Sequence, residues 1–164
     1  MRELYGVGRI VGLDVGERRI GIAISDATRT LARPVTALHV SGLQAATVSA
    51  VVDAIARLEA GDEPVVAIVV GLPRRLDGTP TNMTPRVESF AHAIHARTQH
   101  PVHLQDERLT SREAESRLAL REKDWRARKA RLDAAAAAII LQDYLDATAP
   151  ADQSWIDPFP DSDS

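Results

Sequence analysis

The stretch that decides the fold is Arg9-Ile10-Val11-Gly12-Leu13-Asp14-Val15-Gly16-Glu17-Arg18-Arg19-Ile20-Gly21-Ile22-Ala23-Ile24-Ser25. Two apolar runs, Arg9 to Val15 and Arg18 to Ser25, flank a short polar break, and this reads as a pair of antiparallel strands joined by a tight turn. Gly16 and Glu17 fall at the bend, where glycine can take a positive φ. Asp14 interrupts the first run. An isolated buried carboxylate is costly, so it calls for a cation, a hydrogen-bond network or an opening to water. Glycines at 12 and 16 leave room beside it for another backbone or a ligand.

Beyond this pair, Leu31 to Val40 reads as a third strand. Leu43, Thr47, Val51, Ile55 and Leu58 recur at helical spacing, so Gly42 to Ala60 reads as a helix, broken by Gly61-Asp62-Glu63-Pro64. Val65 to Val70 is apolar throughout, the pattern of a strand covered on both faces. Gly71 to Pro85 reads as a loop, and Val87, Phe90, Ala91 and Ile94 as a second helix. Pro101 to Gln105 reads as another strand. Thr110 and Glu113 form a capping-box pattern that would start a third helix. Leu132 to Ala147, with alanines from 134 to 138, reads as the final helix. The order gives an α/β fold with a mixed sheet of about five strands flanked by helices. Residues 1–148 are expected to form one domain, and 149–164 a disordered acidic tail.

Composition narrows the classes. The 164 residues contain no cysteine, which excludes disulfides, thiolate zinc sites and cysteine nucleophiles and fits a reducing compartment. No apolar run approaches the roughly 20 residues of a membrane span, so no membrane partner is expected. The N-terminus lacks an apolar signal core, and a cytoplasmic protein is expected. The net charge of −3 hides an asymmetry: residues 149–164 hold Asp152, Asp157, Asp161 and Asp163 and no basic residue, leaving the rest at +1. Of the 20 basic residues, 18 are arginine. A codon bias would give the same excess, but arginine also suits bidentate phosphate contacts.

Two further carboxylates stand out. Glu107 follows the strand that ends at Gln105, and ligands of α/β sheets gather beyond the carboxyl ends of strands. Its neighbour Asp106 reads better as a solvated or helix-start carboxylate. Asp133 precedes Ala137, Ile140 and Tyr144 by 4, 7 and 11 residues, so it shares their helical face instead of joining Gln142, Asp143 and Asp146. Each has a plain structural explanation by itself. Converging from a strand, a strand end and a helix, Asp14, Glu107 and Asp133 would make an all-oxygen site suited to Mg2+ or Mn2+ and to phosphodiester cleavage.

The basic residues fit that chemistry. Residues 108 to 131 hold nine basic and four acidic side chains. Beside a carboxylate site they read as a phosphate-binding surface. The expected nucleic-acid contacts are Arg19, Arg74, Arg108, Arg126, Arg128, Lys129 and Arg131. Trp125 is placed either to stack on a base or to anchor the segment. His92, His95, His100 and His103 would need to meet to bind metal; they are instead expected on the polar side of Phe90 and Ile94 or near a helix end.

The run from Gly12 to Asp26 resembles the N-terminal signature of the YqgF-type, Holliday-junction-resolvase-like family. Val70-Gly71-Leu72-Pro73 with Asp77-Gly78-Thr79 is similar to its central loop, and Asp106 to Ser111 and Leu132 to Ala137 to its last two motifs. The motifs occur in order over about residues 9 to 146. The resemblance implies a ribonuclease H-like fold with Asp14, Glu107 and Asp133 as the acidic metal site. It also implies a nuclease acting on structured RNA, in maturation of the small-subunit (pre-16S) rRNA precursor, or a resolvase of branched DNA. Arg74-Arg75 and the acidic tail depart from the family core. Symmetric junction cutting would require a homodimer. Two other classes share some of these features. A non-catalytic nucleic-acid-binding factor would lack metal-dependent hydrolysis. A small-molecule kinase of the actin-like kind closes a cleft between two such domains, and this length supplies one.

Overall fold

The first strand, β1 (Arg9–Val15), is the pivot of the fold, and its residues alternate between two covered faces. The computed structural model describes residues 8–61, 63–107 and 125–148, and for 125–133 the backbone only. β1 pairs antiparallel with β2 (Arg19–Ser25), Asp14 standing opposite Gly21. β2 pairs antiparallel with β3 (Ala32–His39). On its other side β1 pairs in parallel with β4 (Val65–Leu72), which pairs in parallel with β5 (Val102–Asp106). The sheet order is β3-β2-β1-β4-β5. This is the mixed five-stranded sheet the sequence pattern implies. The parallel half needs crossovers, and helices supply them.

Helices α1 (Ala45–Glu59) and α2 (Met83–Thr98) cover one face. They bury Val11, Leu13, Val15, Ile20, Ile22, Ile24, Ile68, Val70 and Val102. The last helix, α3 (Trp125–Ala147), covers the other. There Ile10, Ala23, Ala67 and Val69 meet Ala137, Ile140, Leu141, Tyr144 and Leu145. β4 is buried from both sides, which is why its sequence is apolar without alternation.

Two boundaries differ from expectation for local reasons. α2 starts at Met83, so Pro85 lies in its first turn, where a missing N–H costs nothing. Thr81 Oγ1 accepts the Met83 N–H, replacing a cap from Asn82. α3 starts at Trp125, seven residues before Leu132. Its Arg-, Lys- and Ala-rich opening consists of good helix formers, and charge density does not oppose a helix. Gly16 is not among the positive-φ residues. Its N–H donates to Arg19 O (2.9 Å), and a Cβ there would lie 3.0 Å from that oxygen. Space, not handedness, asks for glycine. The helix expected from Thr110, and the acidic tail, lie outside the described residues.

Candidate active site

The β1–β2 hairpin is held from several sides. Val40 N–H donates to Arg18 O and Gly42 N–H to Glu17 O. The Glu17 carboxylate forms an ion pair with Arg86 of α2. Asp14 therefore lies on a strand fixed by its neighbours. By alternation it faces the α3 side, with Ile10 and Gly12. It is half-buried.

Gly12 sets how near that helix comes. A Cβ there would sit 2.8 Å from Leu141 Cβ and 3.1 Å from Ala137 O. The close approach expected from the glycines beside Asp14 is made by α3. Gly71, the penultimate residue of β4, is the second small position. A Cβ on it would meet Ile140 Cδ1 at 2.5 Å and the Glu107 carboxylate at 3.2 Å. Reading Gly71 as the start of a loop missed this role. The available signal was a glycine directly after an all-apolar run, which marks a close approach.

Glu107 stands just past β5, its N–H donating to Leu72 O (3.2 Å). Its side chain reaches the hydrogen-bonding distance of Asp14. Burial first, then the Asp14 charge, the hydrogen bond with Asp14 and the Asp106 charge, push the Glu107 carboxyl up to about 9. A protonated Glu107 donates to Asp14. Asp106 is exposed, as a solvated carboxylate should be.

The structure thus brings Asp14 and Glu107 together. Asp133 lies on α3, one turn before Ala137, which crosses over Gly12; its side chain is outside the described residues. Among the described residues no group of three or more His, Asp or Glu side chains gathers. The two carboxylates present fit a hard divalent cation. They are all-oxygen donors held against each other at a cost that a proton now relieves, and a cation would relieve it in the same way.

Of the expected phosphate contacts, Arg19 alternates onto the Asp14 face of β2. Arg74 donates through Nη1 to Gly78 O (3.2 Å) and shapes its own loop. Arg108 and the side chains of Arg126, Arg128, Lys129 and Arg131 lie outside the described residues. The histidines do not meet. His95 Nδ1 is 2.7 Å from His100 O, and His100 Nε2 is 2.8 Å from Glu59 Oε2. His103 departs from the polar placement expected of it: it is buried, with its ring 5.3 Å from that of Tyr144. β5 alternates, and His103 falls on the face under α3. Among the described residues no helix is long and apolar enough to cross a membrane.

Comparison with known proteins agrees with this geometry. The solved structure of T. thermophilus RuvC in complex with Holliday junction substrate superposes with a TM-score of 0.53 at 15% identity, covering 87% of this chain and 97% of that one. That likeness concerns the fold, which is ribonuclease H-like. A relative from Anaeromyxobacter sp. (strain K), named "Putative pre-16S rRNA nuclease", is 42% identical over 87% of this chain and 99% of its own length. One of the same name from Roseiflexus sp. (strain RS-1) is 40% identical over 85% of this chain and 94% of its own. The profile of the family described as "RuvX: Holliday junction resolvase" matches residues 8–147. On that match, and on relatives aligned over nearly their whole length, the chain belongs to the RuvX family.

Proposed function

We propose that this chain is a metal-dependent nuclease that hydrolyses phosphodiester bonds in maturing the pre-16S rRNA end, with Asp14, Glu107 and Asp133 as its metal-binding and catalytic carboxylates. The observation that carries the reading is the Asp14–Glu107 contact: two carboxyl groups, one on β1 and one just past β5, pressed together, with Glu107 pushed up to about 9. Structural carboxylates are seldom arranged so, whereas functional sites often are. A bound Mg2+ or Mn2+ would supply Lewis-acid polarisation of the phosphate and a more acidic water.

The chain's own residues do the rest. The hairpin and the parallel β1–β4–β5 unit hold Asp14 and Glu107 on rigid backbone, so little ordering remains when substrate binds. Arg19 on the same face, with Arg108, Arg126, Arg128, Lys129 and Arg131, would hold the phosphate backbone against the negative carboxylates. Relatives named for pre-16S rRNA at 40–42% identity favour RNA over branched DNA as substrate. A cytoplasmic location accords with that substrate.

The test is to incubate the purified chain with a pre-16S rRNA fragment and with a four-way DNA junction, each with Mn2+, Mg2+ or chelator. Metal-dependent cleavage of the RNA, lost in Asp14→Asn, is expected. Cleavage of the junction alone would move the reading to a resolvase, and a homodimer in solution would then be required. Binding without cleavage of either would make it a non-catalytic binding factor.

A further inference from the structure

The described residues expose three large apolar side chains, Leu31, Val35 and Leu76. Leu31 and Val35 lie on or beside the edge strand β3. Leu76 is 64% exposed and lies in the β4–α2 connection, at the carboxyl end of the parallel strands where Asp14 and Glu107 meet. A lone exposed leucine means little by itself. This one sits on a prebuilt support.

Arg75 N–H donates to Thr79 O and Gly78 N–H to Arg75 O, both at 2.8 Å. Arg74 and Pro80 form an antiparallel bridge. Gly78 has φ +91°, a conformation open to glycine. Asp77 Oδ1 accepts both the N–H and the hydroxyl of Thr79, and Arg74 closes the ring onto Gly78 O. At the base, the Thr84 hydroxyl donates to Pro73 O and accepts the Thr81 N–H. The connection is a hairpin tied by its own hydrogen bonds, with Leu76 exposed at its apex between Arg75 and Asp77, which are exposed too.

The hairpin is rooted at the site. Its strand leaves through Gly71, against the Glu107 carboxylate, and Leu72, whose carbonyl accepts the Glu107 N–H. Four residues of extended chain span at most about 14 Å, so Leu76 lies within roughly four nucleotide steps of Leu72, the residue hydrogen-bonded to the Glu107 backbone.

We propose that Leu76 is a substrate-positioning residue that packs on the face of an unpaired nucleobase within about four nucleotides of the scissile phosphate. The enzyme would then prefer nucleic acid whose bases are splayed or single-stranded at that point. The inference rests on the nuclease reading above and adds a specificity element to it. Apolar side chains including leucine wedge against unstacked bases, and a bare base face is the surface that a rigid apolar tip matches. Burying the leucine on a base removes apolar area from water on both partners, while Arg75 beside it suits the phosphate backbone.

The experiment uses the full chain in an Asp14→Asn background, so that binding is read without cleavage. The probe is an RNA hairpin with a single-stranded overhang carrying 2-aminopurine at successive unpaired positions, compared with the same sequence fully paired. Leucine at 76 should perturb the fluorescence at one or two neighbouring positions and favour the overhang RNA. Leu76→Ala should abolish that perturbation and lower the preference about three- to ten-fold. Leu76→Met should restore both, which separates apolar packing from a merely structural part. Unchanged signal and unchanged preference in Leu76→Ala, with the Asp14-carrying chain still cleaving the RNA, would overturn this inference alone. No RNA binding by any variant would overturn it together with the nuclease reading. A change in oligomeric state without any change at 2-aminopurine would assign Leu76 to a protein contact instead.

Discussion

The two faces of one sheet show what packing demands and what chemistry demands. Under α1 and α2, strands β1, β2 and β4 present Val11, Leu13, Val15, Ile20, Ile22, Ile24, Ile68 and Val70. These are large branched side chains that fill a thick layer. One residue out of phase, the same strands present Gly12, Asp14, Gly21, Ala23, Ala67, Val69 and Gly71 to α3. On that face the side chains shrink and the helix backbone descends until Ala137 O would be 3.1 Å from a Cβ at Gly12. Small residues let a helix come near, and nearness is how a group carried on α3 can meet carboxylates carried on strands. The first face holds the sheet; the second holds the site.

Breaking that division at Asp14 should have the largest effect. Asp14→Asn is expected to lower cleavage by ~10³-fold or more, as befits the loss of a ligand worth several kcal/mol in the transition state. Metal-free stability should hold or rise, since the variant removes a charge pressed against Glu107. Nucleic-acid binding should hold or strengthen. Full activity in protein free of host nuclease would refute the site.

Next comes pH. Glu107 is raised from 4.5 to about 9 in the fold, by burial first and then by Asp14. The folded state therefore binds a proton that the unfolded state has released. In chelator, this group's contribution to stability is complete below about 4.5 and is lost as pH climbs towards about 9. Metal must displace that proton, so apparent metal affinity should rise about tenfold per pH unit over the same window. Melting curves at several pH values, with chelator and with Mn2+, read both effects. Identical profiles in the two conditions would show that no cation meets Glu107.

On the packing face, Ile68→Ala should destabilise by about 2–5 kcal/mol. Ile68 is fully buried, between Val11 and Val102 in neighbouring strands. Cleavage per folded molecule should be nearly unchanged. A loss of activity as large as that of Asp14→Asn would mean that the two faces are not separate.

Much of this was legible in the sequence, and the failures share a cause. The hairpin and the position of Asp14 follow from patterning within single strands, and the doubly buried β4 from its unbroken apolar run. So does the contact with Glu107, in so far as sites gather at strand ends. What local pattern misses is distance along the chain. His103 is buried because Tyr144, 41 positions on, lies over its ring. Gly71 belongs to β4 because Ile140 and Glu107 need its missing side chain. α3 begins early because arginine and alanine favour helix whatever their charge. Asp133 and the basic cluster after Glu107 remain sequence arguments, carried by the family match and by helical spacing.

The finest test of the comparison is Gly12→Ala. In the middle of a strand, alanine in place of glycine ordinarily helps folding, by roughly 0.5–1 kcal/mol. Here the added methyl would lie 2.8 Å from Leu141 Cβ and 3.1 Å from the Ala137 carbonyl. Neither atom is the free end of a flexible side chain, so relief requires α3 to lift from the sheet. Overpacking of this kind costs about 1–3 kcal/mol, which outweighs the gain and leaves a modest net destabilisation. A lifted α3 also moves position 133, one turn from Ala137, relative to Asp14. Activity should therefore fall further than the stability loss explains, in contrast to Ile68→Ala, where stability falls and chemistry stays. Urea unfolding and initial cleavage rates on the same preparation give the two numbers. A variant more stable than the parent would mean that α3 does not bear on Gly12 as described. A variant less stable but fully active would mean that the helix's nearness serves packing alone.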